Sequence, residues 1–220
     1  MTTQLLTEII KADPQMMKEY PASYEDYKEL GELPYLFKIL SVNKALSIQA
    51  HPDKALAEKI HKERPTVYKD PNHKPEMALA ITPMEALCQF RPLKEVATHL
   101  KTEPEFRAMV GEDAAVGVES AAEAAADNTA AGKGALKAAF SSFMTADSDK
   151  VTENLTPLIE RLSSVDWSMR TPTESLVLRC NDQFPGDIGC FCPFFLNYIT
   201  LQPGGCAAFP APAGSWLHDY

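Results

Sequence analysis

No basic segment followed by an apolar run opens the chain, and its longest apolar stretch, Ile188 to Leu201, is interrupted by Pro193 and Asn197. On these absences neither a secretory signal of the usual form nor a bilayer-spanning helix, which needs about 20 apolar residues, is expected. Positive charge is also short. Lysine and arginine number 21 against 30 aspartates and glutamates, a formal net charge of −9, and such a balance argues against a nucleic-acid partner. Cysteine is scarce as well: Cys88, Cys180, Cys190, Cys192 and Cys206 form no CxxC pair and leave one over in any disulfide scheme. A reduced, cytoplasmic setting is the expectation. Cys190 and Cys192 read either as a thiolate pair or as buried helix packing, and the lack of a nearby histidine or third cysteine in sequence favours packing.

What the chain does have is concentrated between Leu46 and Ile81, LSIQAHPDKALAEKIHKERPTVYKDPNHKPEMALAI. Ser47, Gln49 and His51 alternate in a β-prone run, so as a strand they share a polar face opposite Leu46, Ile48 and Ala50. Lys74 and Glu76 repeat the arrangement, with Met77, Leu79 and Ile81 pointing the other way. Two such strands face to face gather an amide oxygen, an imidazole and a carboxylate. That mixed N/O set suits a catalytic zinc or a similar divalent ion, with one ligand still lacking. The plain alternative is an ordinary solvated face, because Gln-x-His pairs are common and a glutamate at a strand head is most often hydrated.

Two further features bear on that choice. Leu33 to Val42, LPYLFKILSV, is apolar on both faces of a predicted strand except for Lys38, and a lysine buried on both sides needs an anionic partner, whether a ligand or a structural ion pair. From Lys38 to Lys74 there are eight basic residues (Lys38, Lys44, Lys54, Lys59, Lys62, Arg64, Lys69, Lys74) and four acidic ones (Asp53, Glu58, Glu63, Asp70). A local positive excess in an acidic chain attracts a small anion, although solvated helix surface explains several of these lysines equally well.

LPYLFKILSVNKALSIQAHPDK followed by NHKPEMALAITPMEALCQFRP closely resembles the type I mannose-6-phosphate isomerases, also called phosphomannose isomerases, zinc enzymes of the cupin or jelly-roll class. The resemblance implies that Gln49, His51 and Glu76 are zinc ligands, that Lys38 and Lys74 line the active site, and that Ser47 sits near the substrate phosphate. It implies a zinc-dependent interconversion of mannose 6-phosphate and fructose 6-phosphate, serving GDP-mannose supply, by proton transfer between adjacent carbons. Family members are longer, so this chain is expected to be a shortened member, beginning partway into the first barrel. The family's Pro-His-Ala-Tyr motif, whose histidine completes the zinc shell, does not follow the Pro203-Gly204 turn. Ser215 stands at the expected ligand position, His218 is a weak substitute three residues on, and a truncated or reading-frame-altered C-terminus is the simpler expectation for that tail.

The expected fold class is α+β, a partial cupin/jelly-roll β-sheet with an inserted all-helical domain, in five segments. Residues 1–32 are a helical segment, with Leu5, Ile9 and Ile10 at helical spacing, Thr3 or Thr7 as caps, and Met16, Met17 and Tyr20 continuing a broken helix to Pro21. Residues 33–92 carry the cupin strands and the zinc site. Within them, Asp53 starts a short helix that buries Leu56 and Ile60, pairs Glu58 with Lys62 and ends at Pro65. His61 is read as a surface residue, and His73 as off the ligand face. Met77 to Thr82 and Glu85 to Arg91 are read as a strand pair divided by Pro83.

Residues 93–184 form the helical insert, which in the family walls one side of the cleft. It opens with Leu93, Val96, Ala97 and Leu100, and then Pro104 starts a helix through Phe106, Met109 and Val110. Twelve alanines between Ala114 and Ala139 predict either a thin helix pair or a frayed surface insert. Two more helices follow, on Leu155, Leu158, Ile159 and Leu162 and on Leu176, Val177 and Leu178. Residues 185–204 return to the sheet through a helix capped by Asp187 that buries Ile188, Phe191, Phe195 and Leu196. Pro193 kinks that helix unless it falls in the first turn. Residues 205–220 are a divergent tail.

The functional expectation is a monomer acting on a small sugar phosphate with Zn2+, without membrane or nucleic-acid partners. Two alternatives remain at this point. One is a non-catalytic relic or sugar-phosphate-binding module of the same fold, and the other is a chain whose incomplete barrel leaves aggregation-prone sheet edges.

Overall fold

A computed structural model describes residues 5–13, 15, 33 and 35–209 of the chain. The chain divides into two units, Met1–Asn43 and Lys44–Tyr220. In the first, helix α1 spans Leu6–Ala12 and buries Ile10. The expected continuation through Met16, Met17 and Tyr20 lies outside the described residues, as does Thr3.

The buried strand expected over Leu33 to Val42 is not present. Residues 35–42 form neither helix nor strand, and Leu36, Phe37, Ile39, Leu40 and Val42 are all exposed, Phe37 by 80%. Lys38 is exposed too, so the argument that burial forces an anionic partner on it fails. Alternating β-branched and aromatic residues make a strand only when a neighbour completes the ladder. Among the described residues no backbone ladder bond reaches this run. The same correction applies to Leu46 through His51, which is exposed irregular chain up to His51, itself half-buried.

The second unit begins with helix α2, Lys54–Glu63, where the Asp53 carboxylate accepts from Leu56 N–H at 2.9 Å. It buries Ala57, with Leu56 and Ile60 half-buried. Its ion pairs are Lys54–Glu58 and Lys59–Glu63, not the expected Glu58–Lys62, which no described contact matches. His61 is also less exposed than expected: its Nδ1 donates to the Tyr68 carbonyl at 2.6 Å and pins the following turn.

Two short antiparallel ribbons carry the β structure. Strand β1, Glu76–Leu79, pairs with β4, Cys206–Phe209, in the register Glu76 to Phe209 and Leu79 to Cys206. Strand β2, Met84–Phe90, pairs with β3, Leu196–Leu201. The expected pairing of the first two strands with each other is therefore wrong, and the bend at residues 81–83 sends them to different partners. The first residues of the tail after Gly204 supply β4. Gly204, at φ +86°, makes the tight turn that an L side chain resists, and its N–H donates to the Ala80 carbonyl at 2.8 Å. Ser215 and His218 lie outside the described residues.

Between β2 and β3 in sequence runs the helical block: α3 (Leu93–Thr102), α4 (Pro104–Val110), α5 (Glu112–Glu123), α6 (Ala130–Met144), α7 (Ser148–Ser164) and α8 (Pro172–Gln183). The alanine-rich stretch is a packed helix pair, not a frayed insert, because Ala115, Val118, Ala139, Phe140 and Phe143 are buried. At Gly132 an added Cβ would lie 2.0 Å from the Ala126 carbonyl oxygen, so only glycine permits that approach. Caps are well formed: Thr171 and Glu174 make a capping box on α8, and Asp127 reaches back to accept from Leu93 N–H at 2.6 Å. Arg161 of α7 is forked onto Glu105 and the buried Glu103, at 2.6–2.9 Å.

The chain returns to the sheet through a 3-10 turn, Ile188–Phe191, and one α-turn, Cys192–Phe195. Asp187 caps the first, accepting from Gly189 N–H at 2.6 Å. Pro193 lies in the first turn of the second, where no hydrogen bond is lost. Leu196 already belongs to β3. Phe195 is fully buried, with ring centroids 4.8 Å from Phe106, 5.2 Å from Phe143, 5.3 Å from Phe140 and 6.3 Å from Phe90. One side chain thus ties α4, α6 and β2 to the start of β3. Next to it, Asn197 Nδ2 donates to the carbonyls of Cys88 and Phe90, at 3.1 and 2.9 Å, and holds the bulge where Gln89 adopts φ +51°.

Replacing Phe195 with alanine is expected to destabilise the chain by about 3–5 kcal/mol in urea unfolding followed by circular dichroism. Replacing Trp167, 79% exposed, with alanine is expected to change stability by less than about 0.5 kcal/mol.

Candidate metal centre

The second unit brings the chemistry-bearing residues together by fastening two loops. Lys54 Nζ donates to Asn72 Oδ1 at 2.8 Å and to the Pro71 carbonyl at 3.4 Å, and Lys74 N–H donates to the Pro52 carbonyl at 3.3 Å. These bonds lay residues 51–54 beside 71–74. Upstream, Ala45 N–H donates to Gln183 Oε1 at 2.8 Å, and Lys44 stands 5.9 Å above the Phe184 ring. The irregular run from 44 to 51 is thereby anchored at both ends although it belongs to no strand.

The result is a cluster of four side chains. His51 Nε2 lies 2.7 Å from Glu76 Oε2. Lys74 Nζ donates to Gln49 Oε1 and stands 3.4 Å from Glu76 Oε1. Gln49, His51, Lys74 and Glu76 therefore meet as their spacing in sequence suggests, with Lys74 and Glu76 on one face by the alternation of side chains at the head of β1. Ser47 is exposed two residues before Gln49, and His73 is exposed. Lys38 belongs to the first unit.

Electrostatics keep the Glu76 carboxylate charged. Partial burial acts to raise its pKa, but the hydrogen bond from His51 and the positive charge of Lys74 together outweigh it and leave the value below the ordinary 4.5. At 46% side-chain exposure solvent screens part of this gain.

The donor set fits a divalent cation. One imidazole nitrogen, one carboxylate and one amide oxygen are borderline-to-hard ligands of the kind zinc takes in sites with an open position. The amide and carboxylate oxygens already share a cationic partner, the Lys74 ammonium. Among the described residues, no group of three or more His, Cys, Asp or Glu side chains gathers, and of those types this cluster offers His51 and Glu76. Cys190 and Cys192 are buried, and burial pushes the Cys190 thiol up to about 12 and Cys192 higher still.

Comparison with known proteins gives the family. Residues 2–93 match the model of the phosphomannose isomerase type I catalytic domain, and residues 109–196 match its helical insertion domain. The chain belongs to the type I phosphomannose isomerase family. Mannose-6-phosphate isomerase of Rattus norvegicus is 48% identical over 177 residues, covering 79% of this chain and 41% of the relative. That of Eremothecium gossypii is 40% identical over 210 residues, covering 92% and 48%. The crystal structure of the Salmonella typhimurium enzyme bound to its substrate and a zinc atom superposes with a TM-score of 0.71 at 26% identity, covering 94% of this chain and 50% of that one. The chain thus spans about half the length of the relatives it matches. The α+β class, with cupin-type strands and a helical insertion, is the fold of the type I phosphomannose isomerases.

Sequence reasoning missed how Lys74 is used. It is hydrogen-bonded to a neighbouring ligand candidate, Gln49, a contact that no spacing within either segment encodes.

Because the folded carboxylate is held below 4.5, its contribution to stability is present above that value and is lost as pH falls through the lower folded pKa. In NMR titration the Glu76 carboxyl is expected to titrate below 4.5 in the parent chain. In H51A it is expected to move upward.

Proposed function

We propose that this chain carries the metal-binding half of an aldose–ketose isomerase site acting on mannose 6-phosphate and fructose 6-phosphate. The observation that supports this reading most directly is the contact of His51 with Glu76, joined to Gln49 through Lys74, in a chain of the type I phosphomannose isomerase family. Gln49, His51 and Glu76 would hold Zn2+. When bound, the metal supplies a Lewis acid that stabilises negative charge developing on substrate oxygens.

The chain's own residues account for the rest. Lys74, next to the ligand set, adds positive charge where an oxyanion forms and stands ready to exchange a proton through Nζ. Lys38 has the same chemistry and is assigned to the active site by its place in the LFK motif. Ser47 can donate a hydroxyl hydrogen bond to the sugar phosphate, and the basic excess between Lys38 and Lys74 draws such an anion in. The setting is cytoplasmic and the chain acts as a monomer. Five free thiols accord with a reducing compartment. No described helix is long and apolar enough to cross a membrane.

A second reading, a sugar-phosphate-binding module without turnover, is favoured by one observation: no fourth ligand stands beside the three among the described residues. Zinc titration against a chromogenic chelator, together with a coupled isomerase assay, separates the two. Zinc at one per chain with turnover is the expected result, and H51A or E76A should weaken zinc by more than the roughly 10–100-fold that loss of an outer-shell partner costs. Zinc-free protein without turnover contradicts the first reading and supports the binding module.

A further inference from the structure

The Lys74 ammonium contacts the same two oxygens, of Gln49 and Glu76, that would hold a divalent cation in the reading above. It donates to Gln49 Oε1 and faces Glu76 Oε1 at 3.4 Å, while the other oxygen of the same carboxylate faces His51 Nε2 at 2.7 Å. Lysine offers three donors and a single positive charge on a flexible stem. It can therefore satisfy these oxygens as a metal would, by charge and by direct contact. Each oxygen keeps a second lone pair, but a divalent ion on the same two oxygens would stand within a few ångströms of the ammonium, and like-charge repulsion at that range makes the two cations competitors. With 41% of its side chain exposed, Lys74 also has solvent on one side into which it can swing.

We propose that Lys74 is an internal surrogate cation: it holds the amide and carboxylate together, and metal entry displaces it, freeing its ammonium for an anionic ligand. This rests on the metal-site reading above and adds an order of events to it. The alternative arrangement, a lysine that stays on Gln49 while metal binds elsewhere in the cluster, predicts that the amine is indifferent to metal. Displacement couples the two functions of the site, because the positive charge next to the ligand set becomes available only once the metal has taken over its oxygens.

Two readouts on the full chain test this without relying on turnover. In the first, surface amines are labelled with acetic anhydride at increasing zinc and quantified by mass spectrometry. Lys74 labelling is expected to rise at least threefold as zinc saturates, with exposed Lys69 as the unchanged reference. In the second, chelator competition compares the parent with K74M, which keeps the stem and removes the charge. K74M is expected to bind zinc roughly tenfold more tightly, since neither competition nor like-charge repulsion opposes entry. Equal zinc affinity in the two chains with Lys74 labelling unmoved by zinc overturns the proposal and leaves the metal site standing. Failure of both chains to bind zinc overturns the metal site and the proposal with it. Because the labelling arm uses the parent chain, a K74M chain that fails to fold still leaves the proposal open to refutation.

Discussion

The carboxylate of Glu76 faces a positive or hydrogen-donating group on each of its oxygens, His51 on one and Lys74 on the other. A partly desolvated anion is stable only in such company, and these contacts fix the separation of two segments that lie 25 residues apart. Gln49 enters the cluster through Lys74, not through Glu76 itself. The polar cluster is therefore organised around one negative charge, and the neighbouring staple from Lys54 to Asn72 sets the loops in range of it.

The second unit supports this cluster unevenly. The helical block and the β2·β3 ribbon share a core in which seven phenylalanines pack, several edge to face around Phe195. The β1·β4 ribbon has no such backing, since Met77, Leu79 and Ile81 are 62–75% exposed, and a two-stranded ribbon alone is marginal. The metal-ligand candidate Glu76 thus stands at the head of the less supported ribbon. In physical terms the helical block sets the scaffold, and the site is held by hydrogen bonds and ion pairs at its margin, the part of a fold most readily opened by local fluctuation.

Much of this was legible in the sequence, because the signals were local. Helical periodicity placed α3, α4, α7 and α8, and turn chemistry placed Asp53, Asp187 and Pro193. The alternation of Gln49 with His51 and of Lys74 with Glu76 picked out the cluster. The failures share one cause. Leu36, Phe37, Ile39 and Leu40 carry a strand pattern, yet pattern alone does not supply a neighbouring strand, so the expected burial did not follow. Likewise β1 and β2 looked like partners because they are adjacent, whereas each pairs with a strand more than 100 residues further along the chain. Neither Asn197 bridging the bulge nor Lys74 bridging to Gln49 can be read from one segment, since each contact depends on where a distant segment comes to lie.

Membership of the type I phosphomannose isomerase family, over about half the length of its relatives, makes ligand convergence the point on which the functional account stands. X-ray absorption at the zinc edge, on the purified chain loaded with one equivalent of zinc, tests that convergence directly. The account predicts a first shell of nitrogen and oxygen only, at about 2.0–2.2 Å with the outer scattering of a single imidazole. A sulfur shell at about 2.3 Å would mark thiolate ligation and would contradict the assignment of Gln49, His51 and Glu76.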